Sequence, residues 1–186
     1  MSFRREMTRR DYLAVSFAAS AQVAAAQQHA HEAVKKRGET ALLVLTPSEA
    51  RDIEALTAQI IPSDGSPGAR EAGAVYFIDR ALATFDSDKK ESYQVGLALV
   101  RNTRARLFPG SPDAASLTAD QQIALLQAIE KSDFFELLRT HTVLGFLGSP
   151  SYGGNRGGVG WKHIGFENRM AFEPPFGYYD AREDER

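Results

Sequence analysis

Two histidines and one glycine-rich run are the residues from which chemistry would have to be built. His141 closes the run Phe134-Phe135-Glu136-Leu137-Leu138-Arg139-Thr140-His141. It lies one helical turn from Leu138 and Leu144, near an apolar stripe. There it is either a general base or a core or interface histidine held by a hydrogen bond. A base needs something to activate, and no serine elbow or threonine nucleophile accompanies it. His163 follows Trp161 and Lys162 and reads as a catalytic group or as a loop contact with a partner. The run Gly153-Gly154-Asn155-Arg156-Gly157-Gly158-Val159-Gly160 suggests a phosphate cradle. It lacks the Gly-Lys-Ser/Thr ending, and no strand precedes it. The alternative is a loop whose glycines permit unusual backbone angles. His29 and His31 stand near a chain end without a closed ligand set. Asp64 and Asp79 have no metal-loop spacing, and Asp133 with Glu136 suits a helix start. The expectation is no catalytic, cofactor-binding or metal-ligating residue on this chain.

Composition narrows the classes further. The 186 residues carry 22 basic and 24 acidic side chains, so there is no electrostatic footprint for nucleic acid. No cysteine is present, which removes disulfides, thiol nucleophiles, cysteine-held iron–sulfur clusters and covalent haem attachment.

The elements that must position these residues are helical. Thr46-Pro47-Ser48-Glu49 is a capping box with proline at the first helical position, and Ile53, Leu56 and Ile60 follow on one face. Pro62 ends that helix. A second helix is expected over roughly 69–85, with Val75, Ile78, Leu82 and Phe85 inward and Phe77 and Ala81 beside them. A third spans about 88–107, with Tyr93, Leu97, Val100 and Leu107 inward. Thr118-Ala119-Asp120-Gln121 opens a fourth, to about Lys131, on Ile123, Leu126 and Ile129. A fifth, about 133–146, uses Phe134, Leu138, Val143 and Leu144. No run alternates as a strand does. The reading is one all-α domain of about five helices over residues 46–147, after an extended or mobile lead-in at 27–45. Residues 148–186 hold eight of the fifteen glycines and seven of the eighteen aromatics. They form a long irregular tail too aromatic for plain disorder.

Residues 1–26 read as a cleavable export segment. Basic residues precede a short, mildly apolar stretch and Ala-x-Ala sites ending at Ala21 or Ala26, the second preferred. Arg9-Arg10 with Thr8 before them and Tyr12-Leu13 after them resembles the twin-arginine pattern, with Tyr where Phe is usual. The stretch is too short to span a bilayer. The expected location is periplasmic, with membrane association only through partners.

Two blocks carry a family likeness. One runs from Leu45-Thr46-Pro47 through Ile60-Ile61-Pro62-Ser63-Asp64 to Phe77-Ile78-Asp79-Arg80-Ala81-Leu82. The other holds Phe134 to Thr142, Gly145-Phe146, Tyr152-Gly153-Gly154-Asn155-Arg156, Gly158-Val159-Gly160-Trp161-Lys162 and Ile164-Gly165-Phe166. Together, over about 40–167, they resemble the gluconate 2-dehydrogenase subunit 3 family, the small or gamma subunits of bacterial dehydrogenases. The resemblance implies a large subunit of the glucose–methanol–choline type that holds FAD and performs the oxidation. It often implies a cytochrome c subunit with haem c as well. The small subunit helps maturation and export through the twin-arginine translocase and is itself without catalytic residues. The proposed partner contacts are Arg139, His141, Tyr152, Asn155, Arg156, Trp161 and Lys162, since aromatics and arginine concentrate binding energy. The competing reading has these side chains pin the loop onto the chain's own helices. Two further alternatives are a secreted enzyme using His141 and a periplasmic ligand-binding module.

Overall fold

A computed structural model describes residues 41–169 and 171; Arg9, Arg10, Tyr12 and Leu13 lie outside the described residues. Among those described there are seven α-helices and no strand. Helix α1 is Pro47–Ile60, α2 Ala69–Ala72, α3 Ala74–Ala83, α4 Lys90–Leu107, α5 Ala119–Ile129, α6 Asp133–Leu147 and α7 Val159–His163.

The starts of α1 and α5 are fixed by the expected chemistry. Thr46 Oγ1 accepts from the Glu49 amide at 3.3 Å while Glu49 returns a carboxylate to the Thr46 amide at 2.9 Å. Thr118 and Gln121 repeat the exchange at α5. Helix α6 starts on Ser132, whose hydroxyl accepts from the Phe135 amide.

The helix expected over 69–85 is instead two. Gly73, at φ 67°, takes the left-handed conformation that stops α2 and starts α3. A side chain there would also meet the Arg156 guanidinium stem at 2.8 Å. Helix α3 then ends at Ala83, leaving Phe85 outside it and exposed.

The core lies where α1, α3, α4, α5 and α6 meet: Ile53, Leu56, Ile78, Leu82, Tyr93, Leu97, Val100, Leu125 and Leu138 are all buried. Helix α3 packs along α6, where Gly145 lets the two backbones approach: a Cβ on it would sit 3.0 Å from the Ala74 Cα. Besides Phe85, four side chains expected inward face out: Leu107, Ile123, Val143 and Leu144. Leu125 fills the space assigned to Ile123. On α6 the inward stripe is Phe134, Leu138, His141, Thr142, Gly145 and Phe146. These helices are apolar enough to offer two stripes each, and contact with their neighbours selects one.

Two buried carboxylates tie non-helical segments to this core. Asp79 accepts from the amides of Leu43, Val44 and Leu45 at 2.7–2.9 Å, so α3 holds the chain that leads into α1. Asp52 accepts from Ala114 and Ala115 at 2.8 and 3.2 Å, which fixes the α4–α5 connection against α1. Burial raises the Asp52 carboxyl above its usual range, and the two amides pull the other way.

Candidate functional site

The glycine-rich segment begins where α6 ends, and the end of α6 explains its composition. A helix leaves its last carbonyls without intrahelical partners. Here the returning loop supplies donors. The Asn155 amide donates to Gly145 O at 2.6 Å, Asn155 Nδ2 to Gly148 O at 2.9 Å, and Trp161 Nε1 to Leu147 O at 2.6 Å. Asn155 Oδ1 then accepts from the Gly160 amide at 2.9 Å, which joins α6 to the start of α7. Asn155 is fully buried and has φ 43°. Asparagine suits this place because it tolerates left-handed backbone and offers both a donor and an acceptor.

The glycines allow this close return. A Cβ on Gly160 would lie 1.9 Å from Phe146 O, and one on Gly154 2.3 Å from Gly145 O. Residues 148–163 are thus not wholly irregular, as the sequence reading had the tail. They contain two 3-10 turns, Pro150–Tyr152 and Arg156–Gly158, followed by α7. The run follows a helix rather than a strand, and its Gly153, Asn155, Gly158 and Gly160 amides are bonded within the chain.

Aromatic and cationic contacts complete the clamp. The Arg156 guanidinium stacks 3.7 Å from the Tyr76 ring centroid on α3. Buried Arg80 lies beside Gly153, donates from Nη1 to Tyr76 O at 3.1 Å, and stands 5.9 Å from the same ring. Tyr152 packs edge-on against Phe77 and Phe85, and Trp161 against Phe166.

His141 sits in the core. Its Nδ1 lies 3.0 Å from Tyr93 Oη and its Nε2 3.3 Å from Asp86 Oδ2, with the imidazole stacked on the Tyr93 ring. Burial pushes the imidazole below its ordinary range, while Asp86 opposes this and Lys89 adds to it. Burial also pushes the Tyr93 hydroxyl far up, so it remains a neutral donor. Both ring nitrogens are engaged and the side chain is buried, so the group lacks the access to substrate that general-base chemistry requires.

The seven residues proposed as partner contacts therefore divide. His141, Asn155, Arg156, Trp161 and Tyr152 make contacts inside the chain. Arg139 faces solvent and pairs with Glu136 at 2.8 Å; Lys162 is exposed, as is His163. Sequence reasoning missed Asp52, Asp86, Arg80 and Tyr76, and weighed Asp79 only for metal-loop spacing. A signal existed for Asp79-Arg80: a charged pair inside the apolar stretch Phe77 to Leu82 has to be buried with partners. Among the described residues no group of three His, Cys, Asp or Glu side chains could hold a metal.

The fold and the clamp can be set beside known proteins. The family model for gluconate 2-dehydrogenase subunit 3 matches residues 47–167, which takes in α1 through α7 and the whole clamp. Comparisons with curated proteins and with solved structures returned no match. The match spans well over half of the sequence and takes in both blocks that carry the likeness apart from Leu45 and Thr46, so the chain belongs to the gluconate 2-dehydrogenase subunit 3 family.

Proposed function

We propose that this chain is the non-catalytic small subunit of an FAD-dependent dehydrogenase acting on a sugar or sugar acid. In this reading it binds a large subunit of the glucose–methanol–choline type, supports its maturation and stability, and carries it out of the cytoplasm on the twin-arginine leader. FAD resides on the large subunit, and haem c on a cytochrome subunit takes the electrons onward. Family membership carries the proposal. The clamp supports it, because Asn155, Arg156 and Trp161 hold the chain's own fold and His141 is closed off within the core, which leaves His163 exposed without a partnering nucleophile or base among the described residues.

The test is to produce the flavoprotein with and without this chain and to measure periplasmic, FAD-loaded dehydrogenase activity. Activity is expected to need the small subunit, and changing both Arg9 and Arg10 to Lys is expected to leave both proteins in the cytoplasm. Equal periplasmic activity with and without the chain contradicts the proposal.

A further inference from the structure

A groove of about 640 Å³ runs between α4 and the first half of α6. Val95, Leu99, Phe134 and Leu137 line it, and Gly96 forms part of its floor. The helices run antiparallel there, with Gly96 beside Phe134 and Tyr93 beside His141. Val95 is 66% exposed and Leu99 36%, so two large apolar side chains at helical spacing face solvent across the opening. Its lining carries the carboxylates of Asp88, Glu91 and Asp133 and the ammonium of Lys89; Lys89 pairs with Asp88 at 2.9 Å, so Glu91 and Asp133 keep the surface acidic. This surface asks for an apolar segment with positive charge beside it.

The charge of the chain's own ends decides among occupants. The segment after Phe172 holds Glu173, Asp180, Glu183, Asp184 and Glu185 against Arg182 and Arg186, so this lining repels it. A second copy of the groove would set acid against acid. The N-terminal segment has the opposite sign: Arg4, Arg5, Arg9 and Arg10 against Glu6 and Asp11. Directly after it come Leu13, Val15 and Phe17, and the spacing Arg9–Leu13–Phe17 matches one helical face. Reach is no obstacle. The residues between Phe17 and Ala41 span up to about 80 Å when extended, against a radius of gyration of roughly 14 Å for a domain of this size.

We propose that the α4–α6 groove binds the chain's own N-terminal segment, Arg9 to Phe17, with Leu13 and Phe17 against Val95, Leu99 and Leu137 and the arginines on the groove carboxylates. The inference rests on charge and apolar pattern and does not require the export reading. If that reading holds as well, the docked segment keeps Arg9 and Arg10 from the translocase until it is released.

The absence of cysteine from the sequence makes the test clean. The full-length chain, leader intact, is given Leu13→Cys with Leu99→Cys. A control carries Leu13→Cys with Ile123→Cys, Ile123 being exposed in a second groove beside α5. Val95→Cys serves as a second acceptor in the first groove, and circular dichroism confirms the helical fold of each variant. Under mild oxidation at low protein concentration, the intramolecular disulfide to position 99 or 95 is expected to form about ten-fold faster than to position 123. Changing Arg9 and Arg10 to Glu is expected to abolish that advantage. Equal rates, or faster closure at position 123, overturn the assignment and leave the groove to a partner protein. A disulfide-linked dimer as the main product also overturns it and assigns the groove to a second copy.

Discussion

The glycine-rich clamp and the α4–α6 groove differ in what their side chains are used for. The clamp is rich in Trp, Tyr, Arg and Asn, the residue types that dominate interfaces, yet those side chains cap α6 and stack on α3. The groove is made of ordinary Val and Leu at helical spacing, and these face outward. Residue type alone therefore does not separate side chains held by the fold from side chains left facing solvent.

The largest effect separating the regions is expected at Asn155. Replacing it by Ala removes a buried donor and acceptor, leaves Gly148 O and the Gly160 amide without that partner, and keeps left-handed backbone at a non-glycine residue. A loss of about 3 kcal/mol in urea unfolding is expected. A loss near zero would return Asn155 to the list of available contact residues.

Arg156→Ala should cost less, about 1 kcal/mol, for a stacked guanidinium that is only partly buried. Tyr76→Leu removes the same stack, so the double variant should lose less than the sum of the two single ones. Full additivity would show that the stack contributes nothing.

His141 sharpens the contrast through pH. Its folded-state pKa lies below the ordinary value because burial disfavours the cation. As pH falls, the unfolded chain takes up that proton first. The stability contribution is thus complete above about pH 6.5 and declines below it. The melting temperature of the wild type should fall between pH 7.5 and 5.5, and His141→Phe should flatten that slope. Asp52, whose carboxyl is raised, contributes with the opposite sign. A wild-type melting temperature that stays level across this window contradicts a buried, neutral His141.

The smallest effect belongs to the groove. Leu99→Ser should alter unfolding stability by less than about 0.5 kcal/mol, as a partly exposed position away from caps and buried networks does. A loss above 1 kcal/mol would make Leu99 a core residue and erase the difference between the regions.

These regions also show how far local rules reach. The starts of α1 and α5 were readable because a cap is decided within four residues, whereas the Ser132 cap of α6 emerges only in the structure. The core side chains Ile53, Leu56, Ile78, Leu82, Leu97 and Leu138 were readable from their spacing. The outward turn of Ile123, Val143 and Leu144 was not, because α5 and α6 each carry apolar residues on more than one face and packing makes the choice. Gly73 hid its break for a similar reason: part of the demand for a residue without a side chain comes from Arg156, more than eighty positions later. The clamp was legible as a motif but not as a helix cap, since its hydrogen bonds close only after the chain has turned back on α6.

The central claim is that this polypeptide acts through a flavin-bearing companion rather than through chemistry of its own. Purification of the tagged full chain from its native host, read by subunit mass and visible spectrum, tests that most directly. The account predicts a stable assembly in which a larger chain bears an FAD absorbance that bleaches on addition of a sugar or sugar acid. Recovery of the chain alone and colourless, or turnover of such a substrate by the isolated chain, would contradict it.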